Sequence, residues 1–158
     1  MSRLSTGIAR DPDHVEDLVV TLSTGTTNLQ PHLHANRLLQ ISTADAAYTI
    51  NLPYARGTGD VYEFLLTVAH TSGSIVINAT HPGTSTNKFV GTIFESCSNV
   101  QSAAFSSTTN DIITLNNTTT GGLKAGDYLK LQDVAAQTWR VVLGMFTVSG
   151  TGTTPFSG

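Results

Sequence analysis

Short apolar runs that alternate with polar residues, each closed by turn formers, constrain this chain more than any other feature. In DIITLNNTTTGGLKAGDYLKLQDV, from Asp111 to Val134, Ile113 and Leu115 alternate with Thr114 and Asn116. Leu129 and Leu131 likewise alternate with Tyr128, Lys130 and Gln132. A period of two puts apolar side chains on one face of a strand and polar ones on the other. Asn117 to Gly122 supplies the turn between the two strands.

The same reading continues along the chain. It predicts strands over LVVTL (18–22), RLLQIS (37–42), AYTINL (47–52), VYEFLLTVA (61–69), SIVINA (74–79), KFVGTIFE (88–95), SAAF (102–105), IITL (112–115), YLKLQDV (128–134) and TWRVVLGMFTV (138–148). Ser23 to Asn28 reads as a turn, and His70 to Gly73 as the link of a hairpin between the strands at 61–69 and 74–79. The strand at 61–69 is apolar on more than one face, so it is expected to be central. Gly144 marks a bulge or bend. No apolar stripe of helical period exceeds two turns, and no internal repeat of solenoid length is visible. The expected fold is therefore all-β: a compact antiparallel sandwich or a jelly-roll-like barrel.

Residues 1–17 break the pattern. Leu4 and Ile8 are four apart, and Asp11-Pro12-Asp13 interrupts what precedes it. They are expected to form an extended N-terminal arm that docks through Leu4, Ile8 and Val15, ahead of a β-domain at 18–158. The length, 158 residues, suits one such domain.

Composition narrows function. Charged residues make up 12%, about half the usual ~25%. The net charge is −3, with no basic run to neutralise phosphates, so nucleic acid is not an expected partner. No apolar stretch approaches the ~20 residues of a spanning helix, so neither is a membrane. The N-terminal stretch MSRLSTGIARDPDHVEDL lacks the apolar core of a secretory signal, which points to a chain that starts as written. The single Cys97 excludes an internal disulfide and a cysteine-based zinc cluster.

Reactive groups do not converge. His32 and His34 of PHLH would share a face in a strand, but a zinc site wants three or four ligands. His14, His70 and His81 read as surface or hydrogen-bonded loop residues. Asp11 with Asp13, and Asp45 with Asp60, sit among turn formers, where carboxylates usually bond the local backbone. G-x-S-x-G, P-loop and H-E-x-x-H motifs are absent. Gly57-Thr58-Gly59 and Gly121-Gly122 precede strands, so they read as turns and not as phosphate cradles. Trp139 begins an apolar face with Val141 and Leu143 and is expected in the core, as are Tyr62, Phe64, Phe89 and Phe94, at ~1.5–3 kcal/mol each. No catalytic residue, metal or cofactor is expected.

Three pieces together resemble the small capsid decoration (cement) proteins of tailed bacteriophages: LPYARGTGDVYEFLL from Leu52 to Leu66, the Asp111–Val134 segment, and Trp139 in a strand followed by GTTPFS from Gly152 to Ser157. The likeness spans most of residues 47–158. It implies a β-rich homotrimer made in the host cytoplasm and carried on the outer capsid surface of the virion. There it would sit at three-fold positions and bridge neighbouring major capsid protein subunits. The arm would reach over an adjacent subunit, and Thr154, Pro155 and Phe156 would form a trimer or capsid contact. The rival readings are a trimeric receptor- or glycan-binding module of a phage fibre or tail tip, and a hydrolase on a jelly-roll scaffold. Removing residues 1–17 is expected to leave a folded protein that no longer decorates heads; decoration retained by the truncated chain would take the arm out of the mechanism.

Overall fold

Alternating residues become strands, but the strands wind in a way that alternation alone does not dictate. The computed structural model describes residues 18–80, 87–97 and 101–158. The expected arm, with Leu4, Ile8 and Val15, lies outside the described residues. In chain order the elements begin β1 (Val19–Thr21), β2 (Gly25–Asn28), the helical turn α1 (Pro31–His34), β3 (Arg37–Ile41), β4 (Tyr48–Asn51), β5 (Val61–Leu66) and β6 (Ile75–Asn78). They continue β7 (Lys88–Val90), β8 (Thr92–Ser96), β9 (Gln101–Phe105), β10 (Ile112–Leu115), β11 (Tyr128–Ala135), β12 (Thr138–Thr147) and β13 (Phe156–Ser157).

These strands form two sheets. Sheet A has eight strands in the order β1-β3-β5-β11-β12-β8-β9, with β7 also on β12; sheet B has five, β13-β10-β6-β4-β2. Neither closes into a barrel, so the architecture is an all-β sandwich. Tyr62, Phe64, Leu129, Leu131 and Trp139 of sheet A meet Tyr48, Ile50, Ile75, Ile77 and Ile113 of sheet B in one buried core. Trp139 stands edge-on to Tyr62 with ring centroids 5.5 Å apart, as its core assignment anticipates. Strand β5 lies between β3 and β11, the central position expected of it.

The pairing is mixed rather than wholly antiparallel. From β1 to β6 the chain alternates between the sheets: β1, β3 and β5 are parallel neighbours in sheet A, while β2, β4 and β6 are parallel neighbours in sheet B. Consequently β5 and β6 do not form the expected hairpin; the chain crosses from one sheet to the other between them. The segment read as a turn at 23–28 holds β2, whose Gly25–Asn28 pairs along β4. The winding also stacks Asn28, Asn51 and Asn78 in register. The Asn51 amide donates to Asn28 Oδ1 at 2.7 Å and the Asn78 amide to Asn51 Oδ1 at 2.7 Å. Leu29, Leu52 and Ala79, one residue on, are all buried. This is a short coil, legible afterwards as Asn followed by an apolar residue at each strand end. Loops of unequal length hide it from a search for a fixed period.

Two local features bend sheet A. The run 88–95 is not one strand, because Gly91 separates β7 from β8 with φ 137°; a Cβ there would approach Val141 O to 2.8 Å. In β12 the irregularity expected at Gly144 falls at Val142. Lys130 pairs with Leu143 but Leu131 pairs with Val141, which leaves Val142 as the extra residue. Gly144 has a different role, since a Cβ there would press Ile93 Cγ1 at 2.6 Å.

One carboxylate ties the 55–60 loop to sheet A. Asp133, buried on β11, accepts from the N–H groups of Arg56 (2.9 Å), Gly57 (2.6 Å) and Thr58 (3.1 Å), and from the Thr58 hydroxyl (2.9 Å). The Gly57-Thr58 loop is thus an anion cradle whose anion is the chain's own side chain. Burial pushes the Asp133 carboxyl up, but these hydrogen bonds together outweigh it and hold the pKa below the ordinary value. That contribution is present above the unfolded value of about 3.9 and is lost as pH falls through it towards the folded pKa. Asp133→Asn turns an acceptor into a donor facing N–H groups, so a loss of about 2–3 kcal/mol is expected in urea unfolding at pH 7, shrinking in acid. A loss below about 0.5 kcal/mol at pH 7 would contradict this assignment.

Candidate contact surface and acidic cleft

The outer face of sheet A is unusually apolar at its β12–β8–β9 end. Register places Tyr128, Met145, Phe94 and Ala103 side by side on β11, β12, β8 and β9. Phe94 and Met145 are each 56% exposed, and Phe105, opposite Thr92 on the edge strand, is 71% exposed. The bulge adds to this face. Because Val142 is the extra residue, both Val142 and Leu143 turn outward, where strict alternation would have buried one of them. At roughly 150–250 Å² per ring, the two phenylalanines alone present a few hundred Å² of apolar surface with Met145 beside them. A patch of that order is comparable with the largest apolar patch of a typical monomer, which is often functional.

Next to the patch the polarity rule is inverted. Phe94, expected in the core, points out, and its neighbour Glu95 points in and is only 3% exposed. Phase explains the exchange: with Phe89 and Ile93 both buried, the residue after Ile93 faces outward and the next one faces inward. Ser102 donates to Glu95 Oε2 at 2.9 Å, while Oε1 has no partner. Burial raises the Glu95 pKa against the lowering effect of Ser102. A side chain at Gly152 would collide with Oε2, so the glycine makes room for the acid.

Glu95 lines a cleft of about 440 Å³ with Phe94, Ser102, Asp127, Met145 and Thr147. Asp127 is also buried, and burial raises its pKa against hydrogen bonds from the backbone of Thr147 and Gly122. Its two oxygens are already occupied: Oδ1 accepts from Thr147 N–H at 2.9 Å and Oδ2 from Gly122 N–H at 2.8 Å. The cleft is thus lined by one carboxylate with both oxygens hydrogen-bonded and one, Glu95, whose Oε1 is buried without a partner. Across the face, Glu63 accepts from Tyr128 at 2.6 Å and pairs with Lys130 at 2.8 Å, contacts that hold its pKa below the ordinary value. At about a third exposed, such a pair contributes ~0.2–1 kcal/mol.

The residues expected to form contacts at the chain end fare differently. Thr154 is exposed, but Pro155 and Phe156 are buried. Phe156 pairs with Ile113 and belongs to the core, so its ring is committed to its own chain. His32 and His34 sit in the turn of α1, where a separation of two residues sends side chains in different directions; His34 Nδ1 accepts from Gln30 N–H at 2.9 Å. His70, expected at the surface or in a hydrogen-bonded loop, is buried beside Tyr48, and burial lowers its pKa against the influence of Thr43 and Asp45. Among the described residues no group of three or more His, Cys, Asp and Glu is arranged to hold a metal ion, and no helix is long and apolar enough to cross a membrane. Asn116 Oδ1 accepts from the N–H groups of Thr118, Thr119 and Thr120, which shapes the turn before Gly121.

No family model, curated protein or solved structure matches this chain.

Glu95 supplies a direct test of the inverted strand. Its folded carboxyl holds a proton more tightly than the unfolded one, so stability is greatest below the ordinary Glu value of about 4.3 and falls as pH rises through the folded pKa. Glu95→Gln keeps the shape and removes the buried charge. The variant is expected to be more stable than the parent in urea unfolding at pH 7, with the difference closing as pH is lowered to 4. A variant less stable at pH 7 than at pH 4, relative to the parent, would show that the ionised carboxyl is well accommodated.

Proposed function

We propose that this chain is a non-enzymatic structural protein that coats a larger assembly through the outer face of sheet A. The observation that carries this reading is the apolar row of Phe94 and Met145, flanked by Phe105, Val142 and Leu143, on an otherwise well-packed domain. Its setting suits lasting protein contacts. Charges, which must be desolvated in an interface, are scarce at 12% of residues. The edge strand β9, Gln101–Phe105, carries none, and an uncharged edge is normally protected by pairing or cover.

Among coats of this kind, the motifs at 52–66, 111–134 and 152–157 favour a phage capsid decoration protein. In that role a homotrimer sits at three-fold positions on the outer capsid surface and bridges neighbouring major capsid protein subunits. Each copy needs only a modest contact, because a trimer touching several subunits gains by avidity.

Purified protein, added to heads assembled without it, is expected to appear as knobs at three-fold positions. Phe94→Ser combined with Phe105→Ser should weaken association with heads by at least about tenfold, given ~1.5–3 kcal/mol for a fully buried ring. Both rings are largely exposed, so the double variant should unfold within about 1 kcal/mol of the parent. Undiminished association, or binding of a glycan in place of heads, would overturn the reading.

A further inference from the structure

We infer that the open edge of β2 is taken by this chain's own residues 7–10, which add to sheet B as one more parallel strand and begin the coil. Those residues lie outside the described ones; the edge they fit does not.

Sheet B ends at β2, and sheet A ends at β1, the strand just before it in the chain. The N–H of Gly25 donates to Ala47 O at 2.9 Å and that of Leu29 to Asn51 O at 2.9 Å, both on the β4 side. Backbone groups of successive residues turn to opposite edges of a strand, so Thr26 and Asn28 direct theirs to the open side. Both residues are exposed. Nothing blunts this edge: Gly25–Asn28 carries no charge and no proline, and an edge of that kind is normally paired or covered. The neighbouring elements also hold apolar side chains in solvent, Leu18 and Val19 at β1 and Leu33 in α1.

The occupant is written in the sequence. Leu22-Ser23-Thr24 carries the chain from β1 in sheet A into β2 in sheet B, and Ile41-Ser42-Thr43 opens the matching passage from β3 to β4. Leu22 and Ile41 are buried at these crossings. Gly25 then enters β2 with φ 83°, a conformation that glycine adopts without steric cost. Leu4-Ser5-Thr6-Gly7 repeats Leu22-Ser23-Thr24-Gly25 residue for residue, and His14-Val15 recurs as His32-Leu33 at the same offset. So short a match acquires meaning from the crossing it marks. Spacing agrees as well: residues 29–36 connect β2 to β3, and an equal number, 11–18, separate Arg10 from β1. A link that carries the chain from β2 to β3 is long enough for the equivalent step one strand earlier.

Other occupants fit less well. The same residues of a second copy would satisfy the same edge, but the short link gives the chain's own segment a high effective concentration there. A strand from an unrelated partner would leave the Leu-Ser-Thr-Gly repeat without a role. In this arrangement the first residues complete their own sheet, in place of the reach over an adjacent subunit that the resemblance implies.

The test uses the full chain, isotopically labelled, in solution. Nuclear Overhauser contacts are expected from the Thr26 and Asn28 amides to α-protons of residues 7–10. Both amides should exchange with solvent at least about tenfold more slowly than in a chain lacking residues 1–10. A mixture of labelled and unlabelled chains should place those contacts within one molecule. Ala9 stands in the repeat where Thr27 does, so its N–H would face β2. Ala9→Pro removes that donor and should release both amides while leaving exchange in β4, β6 and β10 as in the parent. Contacts found only between molecules would assign the edge to a second copy and overturn the inference. Fast exchange of both amides in the full chain, or slow exchange that survives Ala9→Pro, would overturn it too. The result is separable from the proposed function, because Phe94 and Phe105 lie on β8 and β9 at the opposite end of sheet A from β1.

Discussion

Parallel pairing is the constraint from which the rest of this fold follows. Two parallel neighbours cannot be joined by a tight hairpin; the chain must leave the sheet and return at the other end. Here it leaves through the opposite sheet. Each excursion from β1 to β3 and from β3 to β5 deposits a strand in sheet B, so both sheets grow together and the core between them is filled as they grow. The asparagines at 28, 51 and 78 mark the register of that winding: each amide bonds the one before it, and a slip of one residue would break both bonds and turn the apolar faces outward.

Once the coil ends, mostly antiparallel pairings complete the sandwich, with β7 and β8 lying parallel to β12, and carboxylates fasten the joints. Asp133 gathers the N–H groups of the 56–58 loop, and Asp127 links the turn at Gly122 to β12 at Thr147. Both acids are buried, and both have backbone donors on each oxygen. Glu95 belongs to neither joint. It sits behind a phenylalanine that faces solvent, in a strand whose alternation places the acid inside. Its Oε1 is buried without a hydrogen-bond partner, behind the exposed Phe94.

Much of the architecture was legible in the chain. Strands at 37–41, 48–51, 61–66, 75–78, 112–115, 128–135 and 138–147 lie where alternation put them, and Trp139, Tyr62, Phe64 and Phe89 are buried as their spacing required. Phe94 reads as core because it is an aromatic in an apolar run, yet it lies five residues from Phe89, and an alternation that buries Phe89 and Ile93 turns Phe94 outward and Glu95 inward. Val142 and Leu143 escaped for a related reason: a bulge changes which residues share a face, and its position depends on the partner strand.

Local alternation and turn chemistry therefore determined, from the amino acids alone, that this chain folds into many short strands about a shared apolar core. Period-two burial is a property of neighbouring residues and needs no knowledge of what lies opposite. Which strands pair, in which direction, and which side chains are left facing solvent were decided only in three dimensions. Those outcomes depend on contacts between residues distant in sequence, such as Asn28 with Asn51 or Glu95 with Ser102 across β8 and β9. The exposed patch and the acid behind it are products of that long-range register.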